Sequence, residues 1–75
     1  MIFILNLHFN DDTHCGYRYT RASLLCENFA AAVHHYNDKN IDVIIRLWII
    51  NDQNEQRLLL ETNQNYYDNS IQHNF

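Results

Sequence analysis

Glycine, proline, cysteine and positive charge are all scarce in this chain of 75 residues, which holds one glycine, no proline, two cysteines and five lysine and arginine residues together. Three of these scarcities, those of glycine, cysteine and positive charge, each argue against a class of function. The lone Gly16 cannot build a Gly-rich phosphate loop, in which several glycines let the backbone approach the ligand. Cys15 and Cys26 fall short of a small secreted disulfide scaffold, which usually carries about four to eight cysteines. The opening MIFILNLHFNDD has no basic n-region and no small-residue cleavage site, so reduced thiols in a cytosol are expected. Net charge is -4, with acids scattered from Asp11 and Asp12 to Glu61 and Asp68. That balance argues against generic nucleic-acid binding, and the scatter makes no acidic stripe resembling a phosphate backbone. The longest apolar run, Val43 to Ile50, is interrupted by Arg46 and falls far short of the roughly 20 residues of a membrane span, so a soluble protein is expected. The missing proline, with abundant Ile and Tyr and an excess of asparagine (Asn51, Asn54, Asn63, Asn65, Asn69, Asn74), suggests an A/T-rich coding sequence.

A chain this short makes one domain, residues 1–75, and buries only about 60% of its unfolded surface, near the limit of independent stability. Its periodicity is nevertheless clear. Met1 to Phe9 alternates, with Phe3, Leu5, Leu7 and Phe9 on one side and Ile2, Ile4, Asn6 and His8 on the other. Polar Asn10 to His14 forms a turn, and Cys15, Tyr17 and Tyr19 alternate against Gly16 and Arg18 in a second strand. Matching the apolar faces pairs Phe9 with Cys15, Leu7 with Tyr17 and Leu5 with Tyr19. From Ala22 the period becomes helical: Ala22, Leu25, Cys26, Phe29, Ala32, Val33 and Tyr36 form one stripe, capped by Ser23 or Thr20 and ended by Asn37 to Asn40. A third strand runs from Ile41 to Ile50, with Val43, Ile45, Leu47 and Ile49 inward and Ile44, Arg46, Trp48 and Ile50 outward. After a turn at Asn51 to Asn54, Glu55 to Thr62 reads as a fourth strand. Pairing Ile50 with Glu55 sets Leu47 against Leu58 and Ile45 against Leu60 on the core side, and Trp48 against Arg57 on the other. Residues 63–75 form a tail, either a short helix or an irregular arm. The expected fold class is α+β: a small antiparallel sheet of about four strands in ββαββ order, with one amphipathic helix packed on one face.

Candidate chemistry is thin. His14, Cys15, Cys26, His34 and His35 are metal-ligating types, but the adjacent pairs would have to splay, unlike the close C-x2-C or H-x3-H pairs of structural zinc sites. No metal or other cofactor is expected. Neither cysteine shows the electropositive setting of a reactive thiolate, and no paired carboxylates appear, so the reading is not an enzyme. What remains is surface. The sheet side away from the helix collects Asn6, His8, Arg18, Arg46, Trp48 and Arg57, and arginine and tryptophan are enriched at binding hot spots. Those six are the candidate partner-binding residues. A structural explanation competes with this, namely a Trp48–Arg57 cation–π pair with the tail laid over Ile44, Ile50 and Leu59. A homodimer packed sheet to sheet is a further possibility and would relieve the small core.

The order of two strands, an Ala22-Ser23-Leu24 helix start, an alanine-rich amphipathic helix and a strong final hairpin resembles small phage-encoded inhibitors, in particular type I anti-CRISPR proteins. The A/T-rich composition fits bacterial mobile elements and viruses. The resemblance runs from Met1 to about Thr62 in pattern only, and no functional residue is carried across. It implies a protein without a catalytic site that binds a bacterial CRISPR–Cas effector or other defence complex in the host cytoplasm and blocks its nucleic-acid recognition. Alternatives are a small nucleic-acid-binding module using Arg18, Arg46, Trp48 and Arg57, and a homodimeric structural protein.

Overall fold

Alternating apolar residues produce the strands, as expected, but the sheet is not laid out in chain order. The structure, a computed structural model, describes residues 1–64. Strands β1 (Ile2–Phe9), β2 (His14–Tyr19), β3 (Val43–Ile50) and β4 (Gln56–Gln64) form one antiparallel sheet in the order β2-β1-β3-β4, with helix α1 (Ala22–Asp38) between β2 and β3 in sequence. The ββαββ α+β arrangement is therefore present, and α1 carries the chain from the β2 edge back to the middle of the sheet. There β3 pairs with β1 along its whole length, Leu5 opposite Leu47 and Leu7 opposite Ile45.

That central pairing makes the core. Leu5, Leu7, Val43, Ile45 and Leu47 are buried beneath Leu25 of α1, and Phe3, Phe9, Tyr19, Phe29, Ala32, Val33 and Tyr36 close around them. The helix stripe is narrower than its sequence suggests, because Ala22 and Cys26 are both exposed. No side chain caps the start of α1, where Arg21 occupies the cap position, so neither Thr20 nor Ser23 plays the expected part. The other end is well closed. Asn40 adopts a left-handed conformation (φ 57°), its N–H donates to the Asn37 carbonyl at 3.2 Å, and the Ile41 N–H donates to that of Tyr36 at 3.0 Å. This paired closure satisfies carbonyls the last turn would otherwise leave open. It also takes Ile41 out of the third strand, which starts at Val43.

The two hairpin loops share one design. In the first, the Asp12 N–H donates to the Phe9 carbonyl (3.0 Å) and the Phe9 N–H to that of Thr13 (2.9 Å); in the second, Asn54 donates to Asn51 (3.0 Å) and Asn51 to Glu55 (3.1 Å). In each, the last loop residue is left-handed: Asp12 at φ 68° and Asn54 at φ 62°. Side-chain oxygens brace both loops, since Asp11 accepts from the Thr13 N–H and hydroxyl, and Asn51 accepts from the N–H groups of Gln53 and Glu55. The Thr13 hydroxyl and N–H hold the Asp11 carboxyl below its ordinary value of 3.8. A depressed carboxylate stabilises above its unfolded value, so this brace fades as pH falls below that range.

Loop geometry corrects both expected registers. In the first hairpin Leu7 faces Cys15, Leu5 faces Tyr17 and Phe3 faces Tyr19, a shift of one full pleat that keeps every side chain on its expected face. In the second, Ile50 faces Gln56, Ile49 faces Arg57 and Trp48 faces Leu58, an odd shift that inverts Gln56 to Leu58. A bulge follows, with Leu59 as the extra residue, after which Leu60 faces Leu47 and Glu61 faces Arg46, restoring the expected parity. Strand β4 also runs on through Asn63 and Gln64, which the expected tail had included; the rest of that tail lies outside the described residues.

Gly16 sits on the β2 edge opposite Asn6, and a Cβ built there would meet nothing within 4 Å. Its φ is not positive, so no backbone demand requires glycine. Gly16→Ala is expected to stabilise the fold by about 0.5 kcal/mol through reduced unfolded-state entropy, read as a raised urea midpoint. A lowered midpoint would show that the edge needs glycine after all.

Candidate functional site: the open face of the sheet

Cross-strand partners share a face, so the register defines the surface opposite α1 row by row. One row reads Arg18, Ile4, Trp48, Leu58 from the β2 edge to the β4 edge. On one side of it lies the shorter row Ile2, Ile50, Gln56; on the other lie Gly16, Asn6, Arg46, Glu61 and then His14, His8, Ile44, Asn63. Most apolar side chains (Ile2, Ile4, Trp48, Ile50, Leu58) thus gather in one half of the face, and most polar ones in the other.

The polar half is internally bonded. The Arg46 Nε donates to Glu61 Oε2 at 2.9 Å, and its Nη1 lies 3.4 Å from His8 Nδ1. His8 Nε2 is 3.3 Å from Asp12 Oδ1, and its ring stacks on His14 with centroids 4.0 Å apart. A guanidinium can only donate, so His8 accepts at Nδ1 and carries its proton at Nε2, aimed at Asp12. Asn6 Nδ2 donates to the Cys15 carbonyl at 3.5 Å. Arg46 is thereby neutralised by Glu61, and the network holds its members in place rather than presenting loose charge. At its far end an open groove of about 330 Å³ is lined by His8, Phe9, Asp12, Asp42, Ile44 and Asn63.

The apolar half is different. Trp48 and Ile4 are half-buried, Leu58 is 43% exposed, and Arg18 is exposed with no ion pair among the described residues. The structure therefore brings Asn6, His8, Arg18, Arg46 and Trp48 to one face, as the sequence indicates. Arg57 is not with them. It faces Ile49, on the helix side of the sheet, so it cannot stack on Trp48 and the cation–π pair expected across the strands does not form. Its place beside Trp48 is taken by Leu58. Sequence reasoning also passed over Ile4, which joins Arg18 to Trp48, and Glu61, which holds Arg46. The alternation of β1 already put Ile4 on this face; nothing local marks Leu58 or Glu61, because their position depends on the loop and the bulge.

The residues weighed as metal ligands are dispersed: Cys15 points to the helix side and donates to the Tyr17 hydroxyl at 3.3 Å, while Cys26 is exposed on α1. That thiol beside the phenol raises the Tyr17 pKa. Among the described residues no group of three or more His, Cys, Asp or Glu is arranged to hold a metal ion, and no helix is long and apolar enough to cross a membrane. No family model, no curated protein and no solved structure matches the chain.

Proposed function

We propose that this is a non-catalytic binding protein whose open sheet face docks on a protein partner, and that the partner is a bacterial CRISPR–Cas or other defence complex whose nucleic-acid recognition it blocks. The row Arg18, Ile4, Trp48, Leu58 carries the first half of the reading: an aromatic residue between aliphatic neighbours, with an exposed arginine at one end, is the composition of a protein-binding anchor. The second half rests on the resemblance to phage-encoded inhibitors. The distribution of arginine favours protein over nucleic acid, since Arg46 is held by Glu61, Arg57 lies on the helix side, and Arg18 is the one arginine of the face without an ion pair among the described residues. A basic stacking platform needs more positive charge than that.

Salt separates the two partner classes. Binding of the purified protein to an immobilised type I CRISPR–Cas complex, and to single- and double-stranded DNA, is measured as salt rises from about 50 to about 200 mM, a range that costs a protein with many phosphate contacts about 10³-fold or more. Binding to the complex with less than about tenfold loss is expected, and none to DNA. Tight, salt-sensitive DNA binding would overturn the protein-partner reading; no binding to the complex would overturn its assignment as target.

A further inference from the structure

Among the described residues, strand direction sorts the charges of this chain into two ends. The loop between β1 and β2 and the link from α1 to β3 stand together at one end, because Phe9 faces Val43. They carry Asp11, Asp12, Asp38 and Asp42 against Lys39. The other end, where β2 closes and α1 opens, carries Arg18, Arg21 and Arg57, all exposed and none in an ion pair among the described residues. The acids there are already engaged, Asp52 by the Met1 amino group at 3.3 Å and Glu55 by Asn51 Nδ2 at 3.0 Å. Between the two ends Arg46 and Glu61 cancel one another at 2.9 Å. The net charge of -4 therefore conceals a basic end.

We propose that the partner surface taken by the open face is acidic as well as apolar: a protein segment that sets a carboxylate on Arg18 while its aliphatic or aromatic side chains cover Ile4, Trp48 and Leu58. The inference rests on the docking role proposed above for that face. Charge complementarity carries it. Arg18 stands at the β2 end of the apolar row, with Ile4 and then Trp48 beside it across the strands, and no acid shares that row. A planar guanidinium takes a carboxylate through two parallel N–H bonds, which fixes the partner's orientation as well as its position. The acids of the far end do not oppose this. They lie roughly 20 Å away, from Ile4 past Phe9 at about 3.3 Å per residue along the strand, whereas charges exposed to water are screened over about 8 Å at physiological ionic strength. Gln64, with which β4 ends, faces Val43 at the acidic end, so the row lies at the opposite end of that strand. The aliphatic members of the row decide between partner classes, since Ile4 and Leu58 give a nucleic-acid base neither a hydrogen bond nor a ring to stack on.

Two short peptides blocked at both ends test the chemistry of the face, one alternating leucine with glutamate and the other leucine with lysine. Each is titrated into the isotope-labelled full chain and followed by NMR through the Trp48 Nε1–H and Arg18 Nε–H resonances. The glutamate peptide is expected to move both, to bind about tenfold or more tighter than the lysine peptide, and to lose that advantage in Arg18→Glu. Unmoved resonances, or equal affinity for the lysine peptide, overturn the inference. So does a short single-stranded DNA that binds at these resonances more tightly than the glutamate peptide, since the basic end would then be a nucleic-acid contact. Should Arg18→Glu fail to fold, Arg18→Gln takes its place: equal affinity for the two peptides is expected, and a retained preference for glutamate overturns the role of Arg18. Binding to the CRISPR–Cas complex is read separately. A chain that takes the glutamate peptide but not the complex keeps this inference and loses that target, whereas binding to the complex undiminished by Arg18→Glu keeps the target and overturns this inference.

Discussion

Replacing Ile45 with alanine is expected to destabilise the domain by about 3–4 kcal/mol, the cost of lost transfer energy plus a cavity that does not collapse. Ile45 is fully buried at 0% exposure, at the centre of β3, facing Leu7 on one neighbouring strand and Thr62 on the other. Strands on both sides fix the backbone, so the hole has little freedom to close. A chain of this length has a total stability on the order of 4–11 kcal/mol, which makes this one side chain comparable to the whole margin. Urea unfolding followed by circular dichroism should show either a midpoint near zero denaturant or no cooperative transition. A shift below about 1 kcal/mol would mean that the β1–β3 centre is not where the fold is held.

Trp48→Ala is expected to weaken partner binding by roughly 30-fold or more, corresponding to about 2 kcal/mol or more for a central aromatic anchor. Because Trp48 stands on the open face, outside the buried core of Leu5, Leu7, Leu25, Val43, Ile45 and Leu47, the same variant should still unfold cooperatively. Calorimetric titration against the partner and a urea melt of the same preparation separate the two effects. Unchanged affinity would remove the open face from the binding reading. The single substitution is cleaner than one combined with Arg46→Ala, since removing the guanidinium takes one contact from each of Glu61 and His8 and disturbs the polar half of the face.

What could be read in the sequence was whatever a period of two or of 3.6 determines. Leu5, Leu7, Val43, Ile45 and Leu47 share the inner face because alternation puts them there whatever their partners are. For the same reason Asn6, His8, Arg18, Arg46 and Trp48 share the outer one. The strand order was not legible, since pairing β1 with β3 follows from the path of α1 and leaves no local mark. Register was lost at the loops. A three-residue loop ending in a left-handed Asp or Asn offsets the strands differently from the loops assumed at the sequence level, and in β4 that odd offset moved Arg57 to the helix side and Leu58 to the open face. The bulge at Leu59 then restores the alternation for Leu60 and Glu61, so simple alternation describes the far end of β4 and fails at the end next to the loop.

Asp12, Asn40 and Asn54 all take a left-handed backbone that glycine fills most often, in a chain whose one glycine is elsewhere. Asparagine and aspartate tolerate that conformation at a modest steric cost in the folded state. Their effect on the denatured chain runs the other way, since a residue with a side chain explores less conformational space than glycine and has less freedom to surrender. Asn40, Asn54 and Asp12 therefore contribute to stability through the denatured chain as well as the folded one. At the points where the backbone must reverse, they narrow the disordered ensemble against which this small core has to compete.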